Sequence, residues 1–252
     1  MKRAISCIML LAIMVFTVGC ETVSFDEENM EIVQLNPPVD GQQIAVITTT
    51  KGVIKAVLYP EYCPNTVENF VQLANEGFYN NQKVFAIEPG NAFMAGSDSD
   101  TGETAKTITG KDIKNEYHDN LWPLKGALCS IGTREGSGDS RYFFVNTVQI
   151  DPILESEMEK NGYPKKAIDG FIKAGGAPSL ARQYTVFGQA YEGLNVIEEI
   201  TQIGIEDEKT KVPVEEIIIE NIEISTYESS EQGTSSGDES SNADDSELSN
   251  EE

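Results

Sequence analysis

The sequence predicts a mainly β domain, an antiparallel barrel or sandwich, between residues 43 and 226. Short runs of alternating or continuous apolar residues, separated by Gly, Pro and Asn, outnumber the segments with helical periodicity. The two or three helical segments do not alternate regularly with the strands, which argues against a doubly wound parallel sheet. A chain of 252 residues with 39% apolar side chains can bury a sizeable core.

The domain is predicted to begin with two strands and a helix. Residues 43–59 alternate as two strands around the turn Thr50-Lys51-Gly52. The helix that follows has Asn65 as a candidate N-cap and Glu68 in the capping-box position. Its apolar face is formed by Val67, Phe70, Val71 and Ala74.

A buried hairpin is predicted next, in the stretch VFAIEPGNAFMAG at residues 84–96. Pro89-Gly90 fits the centre of a type II turn, and apolar residues flank it on both sides. Further strands are predicted at residues 126–131, 142–146, 184–188 and 214–224. Helical periodicity occurs at residues 153–175, in two pieces divided at Gly162, and at residues 193–203.

Both ends of the chain differ in composition from this domain. Residues 1–19 are predicted to be a secretory signal peptide, since Lys2 and Arg3 precede a short apolar run. Small residues before Cys20 resemble a bacterial lipoprotein box, in which Cys20 carries the lipid; a plain secretory signal is the alternative. Residues 20–42 are then expected to form a lipidated acidic tether, which places the chain outside the cytoplasm as a bacterial cell membrane lipoprotein.

The chain is strongly acidic, with a net charge of −24. Residues 227–252 consist largely of Ser, Glu, Asp, Gly and Asn, and they are predicted to be a disordered tail. Non-specific nucleic-acid binding is not expected, because it requires an excess of Lys and Arg. Cys63 and Cys129 are the cysteines of the predicted domain, and their spacing in sequence leaves open whether they pair.

Several kinds of chemistry are disfavoured by the residues present. His118 is the single histidine, and the chain has no G-x-S-x-G motif, so a nucleophilic hydrolase is not expected. Residues 98–103 resemble a calcium loop only faintly, and a solvated loop is the simpler interpretation. Zinc spacing, a Walker loop and G-x-G-x-x-G are missing from the sequence, and therefore no cofactor and no metal are predicted.

Six segments, taken together and in order, resemble the cyclophilin-type peptidyl-prolyl cis-trans isomerases. ITTTKGVIKAVLYPEYCPNTVENFVQLANEGFYN is similar to the opening strands and first helix of that family. The other segments are FMAGSD, IKNEYHDNL, YFFVN, YTVFGQAYEGLNVIEEI and the insertion MEKNGYPKKAIDGFIKAGGAPSL. The insertion resembles one in surface-lipoprotein cyclophilins of Gram-positive bacteria, in agreement with the lipoprotein box.

The resemblance implies a closed eight-stranded antiparallel barrel with capping helices and a groove for proline peptides on its outer face. The residues that match the proline pocket in type are Phe93, Met94, Phe144, Leu180 and Tyr184. Without the resemblance, ordinary core packing would be the preferred explanation for them. The family's catalytic Arg is replaced, because its Phe-His-Arg is Phe85-Ala86-Ile87 here, which puts Ile87 at the Arg position. Arg141 is the candidate substitute, expected to turn toward Phe93 and Phe144.

Three functions are compatible with these features. The first is a peptidyl-prolyl isomerase that acts on X-Pro bonds of exported proteins, with activity weakened at Ile87. The second is a non-catalytic lipoprotein that binds proline peptides as a holdase or scaffold. The third is a structural lipoprotein without groove function. The expected partners are proline-containing segments of exported proteins and, through the lipid anchor alone, the membrane; a monomer without nucleic acid is expected.

Overall fold

The computed structural model describes residues 25–146 and 150–229. The signal peptide, Cys20 and most of the acidic tail lie outside the described residues. The α-helices are α1 (Pro64–Asn75), α2 (Pro152–Lys160), α3 (Lys165–Ala174) and α4 (Leu194–Gln202). The strands are β1 (Gln43–Thr49), β2 (Gly52–Leu58), β3 (Gln82–Lys83), β4 (Ala86–Glu88), β5 (Ala92–Ala95), β6 (Ile113–Lys114), β7 (Ala127–Ser130), β8 (Ser137–Gly138), β9 (Tyr142–Val145), β10 (Val186–Glu192) and β11 (Ile218–Thr226).

Nine of the strands form one curled antiparallel sheet in the order β3-β11-β1-β2-β10-β7-β9-β5-β4. The predicted mainly β, antiparallel architecture is therefore confirmed. The prediction of eight strands in a closed ring is replaced by nine strands whose edges, β3 and β4, do not pair with each other. The residues between those edges bond to both sides, since Val84 N–H donates to Ile217 C=O at 2.9 Å and Phe85 N–H to Met94 C=O at 3.0 Å.

The main core fills the inside of the curled sheet. Helix α1 closes one side of it with Phe70 and Leu73, and α4 contributes Ile197 and Ile200. Aromatic rings crowd the centre; Phe70, for example, contacts Phe187 with ring centroids 5.2 Å apart. Within the described ranges, no helix has the length and apolar character needed to cross a membrane.

Helix α1 is capped from a distant part of the chain rather than by the predicted capping box. The carboxylate of Glu116 accepts hydrogen bonds from the Asn65 and Thr66 backbone N–H groups at 3.2 and 2.9 Å. It also accepts from the Asn65 amide at 2.7 Å and the Thr66 hydroxyl at 2.8 Å. A negative group at the N-terminal end of α1 accepts hydrogen bonds from N–H groups that have no partner within the helix. It also interacts favourably with the positive end of the helix dipole.

Replacement of Glu116 by Gln is expected to lower the free energy of unfolding by about 1–2 kcal/mol, because an amide NH₂ would then face these donors. Urea unfolding followed by circular dichroism measures the change. Glu135→Gln is the matched control, since Glu135 is exposed and should change stability by less than about 0.5 kcal/mol. Equal effects of the two substitutions would show that Glu116 does not stabilise α1.

A second hydrophobic cluster lies beside the main core and includes the segment that the sequence analysis gave to the tether. Met30 and Ile32 are 3% and 8% exposed, and they pack with Trp122 and with residues of α2 and α3. Gln34 is also buried, and its side chain bonds to both the N–H and the C=O of Trp122, at 2.6 and 2.8 Å. Residues 25–36 are therefore a folded strap that packs on the domain predicted for residues 43–226.

The two described cysteines, Cys63 and Cys129, are free thiols, and both are completely buried. Burial raises the pKa of each thiol, because the thiolate would lose its hydration. The Cys63 thiol donates to the Tyr59 carbonyl at 3.2 Å. The disulfide that the sequence left open is thus not formed in this structure.

Neither thiol is expected to react with an aromatic disulfide reagent at about pH 8 while the protein is folded, since thiolate and access are both required. In denaturant both should react, and peptide mapping by mass spectrometry identifies the labelled residues. Rapid labelling of Cys63 or Cys129 in the folded protein would contradict the burial described above.

Candidate functional site

The three neighbouring strands β4, β5 and β9 carry one row of side chains into the core. Ile87 pairs with Phe93 across β4 and β5, and Phe93 pairs with Phe144 across β5 and β9. All three side chains are 0% exposed, and the Phe93 and Phe144 rings lie 5.4 Å apart. These residues therefore belong to the core, and Phe93 and Phe144 do not line the groove to which the sequence analysis assigned them.

The adjacent row of the same strands faces the opposite side of the sheet. Ala86 pairs with Met94, and Met94 pairs with Phe143. Because side chains alternate along a strand, this row points outward while the Ile87 row points inward. Phe143 packs edge-on against Tyr184, with ring centroids 5.1 Å apart and an interplanar angle of 83°. Phe143 is the groove residue that sequence reasoning missed.

A cavity of about 590 Å³ opens over this outer row. Met94, Ile131 and Phe143 form its floor on the sheet side. Leu180 and Tyr184 line it from the segment before β10. The structure thus brings together three of the five predicted pocket residues, namely Met94, Leu180 and Tyr184. The polar groups in the lining are Glu88, Asn91 and Ser179.

Two hydrogen bonds hold the segment on which Tyr184 lies. The Asn115 amide donates to the Gln183 carbonyl at 2.8 Å, and the Glu116 backbone N–H donates to the Thr185 hydroxyl at 2.9 Å. Tyr184 is therefore fixed on both sides by the segment that caps α1. Its ring also borders a second cavity, of about 470 Å³, whose lining includes Arg134.

The position expected for the catalytic Arg differs by one residue from the sequence prediction. Ile87 is enclosed in the core, so an Arg there would not face the cavity. The outward residue of β4 nearest Met94 is Ala86. The prediction that Ile87 stands at the donor position is therefore corrected to Ala86, because outward and inward positions alternate along the strand.

Arg141 lies immediately before β9, two residues before Phe143 and on the same outward face, beside Gly96. The predicted turn of its guanidinium toward Phe93 and Phe144 is wrong, since those rings lie on the other face of the sheet. Its Nε and Nη2 groups donate to the Asp139 carboxylate at 3.0 and 2.6 Å. Nη1 donates to the Gly102 carbonyl at 2.8 Å.

This ion pair is nearly enclosed, because the Arg141 and Asp139 side chains are 12% and 3% exposed. The Thr133 hydroxyl accepts a further bond from Nη2 at 3.1 Å. A guanidinium has five N–H groups, and four of those in Arg141 are engaged in these bonds. Arg141 therefore joins β9 to the loop around Gly102, and its charge is balanced by Asp139.

No group of three or more His, Cys, Asp or Glu side chains with the geometry of a metal site occurs in residues 25–146 and 150–229. The single histidine, His118, packs against Tyr62 with ring centroids 4.3 Å apart. The outer cavity is thus an apolar binding site without an adjacent histidine base among its lining residues. Such a surface can hold an apolar ring.

Comparison with known proteins agrees with this geometry. Residues 44–224 match the model of the family described as cyclophilin type peptidyl-prolyl cis-trans isomerase/CLD. A Streptococcus pyogenes protein, named as a bifunctional phosphatase/peptidyl-prolyl cis-trans isomerase, is 33% identical over 180 residues. That match covers 71% of this chain and 38% of the streptococcal protein. This chain therefore spans less than half the length of that relative.

Staphylococcal relatives match over nearly their whole length. Proteins of Staphylococcus saprophyticus and Staphylococcus aureus, each named as a peptidyl-prolyl cis-trans isomerase, are 30% identical over 194 residues, which is 76% of this chain and 96% of theirs. A crystal structure of a Cryptosporidium parvum cyclophilin shares the fold, with a TM-score of 0.59 and 21% identity over 75% of this chain and 99% of that one. The chain belongs to the cyclophilin-type peptidyl-prolyl cis-trans isomerase family.

Proposed function

We propose that this chain is a peptidyl-prolyl cis-trans isomerase that acts on X-Pro bonds of exported proteins and assists their folding outside the cytoplasm. The observation that carries the proposal is the apolar cavity over Met94, Phe143, Leu180 and Tyr184. An apolar surface of this kind suits a proline ring, which has no polar group beyond its backbone atoms. The Cryptosporidium cyclophilin has also been crystallised in the presence of the dipeptide Ala-Pro, at 21% identity to this chain.

The reaction needs a site that binds the twisted peptide bond better than either planar form. Rotation about a peptide bond has a barrier of about 18–20 kcal/mol, and it is slow without a catalyst. In the twisted state the prolyl nitrogen regains its lone pair, so a hydrogen-bond donor directed at that nitrogen lowers the barrier. The apolar floor of Met94 and Phe143 would hold the ring while the bond turns.

In the part of the chain that the structure describes, this site lacks a free cationic hydrogen-bond donor for the prolyl nitrogen. Ala86 offers none, and the cavity lining contains no Lys or Arg among the described residues. Arg141 is on the correct face, but Asp139 and Gly102 hold its guanidinium. Loss of one donor to a transition state costs about 10²–10³ in rate. Slow isomerisation is therefore the expected behaviour.

A second candidate function follows from the same feature. With the cavity intact and no free donor beside it, the protein could bind proline peptides as a holdase or scaffold without turnover. A purely structural lipoprotein is disfavoured, because it would not need an open apolar cavity of about 590 Å³.

A protease-coupled assay on a prolyl peptide, together with titration of the same peptide by fluorescence, separates these functions. Turnover above the uncatalysed rate that Phe143→Ala abolishes supports the isomerase. Saturable binding without turnover supports the binding module. The absence of both turnover and binding would refute the proposed function.

The proposed location rests on residues 1–20. Lys2, Arg3 and the apolar run that ends before Gly19-Cys20 support export and lipidation, with Cys20 as the acylated residue. A fatty-acid label should enter the chain in Gram-positive cells and be lost with Cys20→Ala. Incorporation of the label into the Cys20→Ala variant would refute lipidation at this residue. We expect a monomer that contacts the membrane only through this lipid and binds no nucleic acid, in keeping with the net charge of −24.

A further inference from the structure

One wall of the outer cavity does not come from the sheet. Leu154 of α2 lines it, together with Gly176 and Ala177 in the segment after α3. Gly176 lies against the backbone of Leu124, where the two residues form an isolated bridge. This wall is therefore contributed by α2 and the segment after α3, which adjoin the second hydrophobic cluster through Met158 and Leu124.

Leu154 is held in place from both directions along α2. Its backbone N–H donates to the carboxylate of Asp151 at 2.8 Å, which fixes the first turn of the helix. Met158, one turn later on the same face, is 2% exposed and packs in the second cluster with Trp122 and Phe171. The helix is thus anchored by Met158 while Leu154 faces the cavity.

The cavity is larger than a proline ring requires. Cavities of roughly 300–1,000 Å³ hold whole drug-sized ligands, whereas a proline ring adds only three methylene groups to the backbone. The value here is about 590 Å³, and the lining includes small residues such as Ala92, Gly176 and Ala177. A cavity of this size leaves space beside a bound proline ring.

We propose that this space takes a large aliphatic or aromatic side chain adjacent to the proline, and that Leu154 is the specificity-determining residue for it. The inference rests on the proposed function, since the proline must occupy the same cavity. The lining that includes Leu154 is mainly apolar, with Ala177 and Pro178 among its residues. An acidic neighbour of the proline would lose hydration there without a cationic partner, since the described lining contains no Lys, Arg or His.

The test compares peptides in which the residue before or after the proline is Gly, Leu or Phe. At one of these two positions, a peptide with Leu or Phe is expected to bind at least about tenfold more tightly than the peptide with Gly. Apolar pockets discriminate between side chains by roughly this factor in affinity. Leu154→Ala should remove most of that preference, so that the Gly, Leu and Phe peptides bind with similar affinity. Ile153→Ala is the matched control, because Ile153 is the preceding residue of α2 and is 71% exposed.

The possible outcomes distinguish this inference from the proposed function. Equal binding of Gly, Leu and Phe peptides by the unaltered protein would overturn this inference but not the proposed function. An equal loss of preference in Ile153→Ala and Leu154→Ala would also overturn it. Failure to bind any proline peptide would refute both. Thermal unfolding of the two variants shows whether each retains the fold, and a preference that persists in a folded Leu154→Ala variant would again overturn the role of Leu154.

Discussion

Phe144→Ala is expected to lower the free energy of unfolding by about 3–5 kcal/mol, the usual cost of removing a buried Phe side chain. The ring is 0% exposed and packs against Phe93 at 5.4 Å and Tyr142 at 6.2 Å, so its loss leaves a closed cavity in the core. Urea or thermal unfolding measures the change. Any loss of peptide binding should follow the fraction of unfolded protein.

Phe143→Ala is the matched variant, one residue earlier on β9. Its ring borders a cavity that is already open, and it contacts Tyr184 at the cavity edge. We expect the loss in free energy of unfolding to be about 1–2 kcal/mol smaller than in Phe144→Ala, because no closed void is created. Peptide binding should fall strongly while the protein stays folded. Larger destabilisation by Phe143→Ala, or loss of binding only in Phe144→Ala, would contradict the assignment of the two faces.

Met30→Ala is expected to destabilise the protein by about 2–5 kcal/mol, as for other buried Met residues. Met30 is 3% exposed and lies in the second hydrophobic cluster with Trp122. The prediction is a direct test of the folded strap at residues 25–36, since a loose tether would tolerate the change. Denaturant unfolding of the full chain provides the measurement.

Val39→Ala is the control for the strap, because Val39 lies just after it and is 58% exposed. It should change stability by less than about 0.5 kcal/mol. If Met30→Ala and Val39→Ala have equally small effects, the strap does not contribute to the fold. Met30→Ala should also weaken the packing of α2 on the domain, because Met30 and Met158 lie in the same cluster.

The fold could be predicted from the sequence because its signals are local. Alternation in β1 and β2, the apolar face of α1 and the Pro89-Gly90 turn all occur as expected. The sequence does not reveal in the same way which side chains of β4, β5 and β9 face the core and which face the cavity. All four residues Tyr142–Val145 are buried, so the strand β9 has no polar side from which its orientation could be read.

The strap was missed for a compositional reason. Residues 20–42 are rich in Glu and Asp, which is typical of a solvated segment. The apolar residues that make it fold, Met30, Ile32 and Leu35, are few and do not follow a helical or strand period. Their partners in α2, α3 and Trp122 are about 90 residues or more away in sequence, and only the tertiary structure reveals them.

The central claim is that the outer cavity binds proline peptides and that the lack of a free donor at Ala86 limits the rate. The most direct test compares kcat/KM for a prolyl peptide in the unaltered protein and in Ala86→Arg, with Ile87→Arg as the control. We predict an increase in Ala86→Arg of up to about 10²–10³, the effect of one transition-state donor. Ile87→Arg should give no gain, because it places a charge in the core. Full activity of the unaltered protein with no gain in a folded Ala86→Arg variant would contradict the claim.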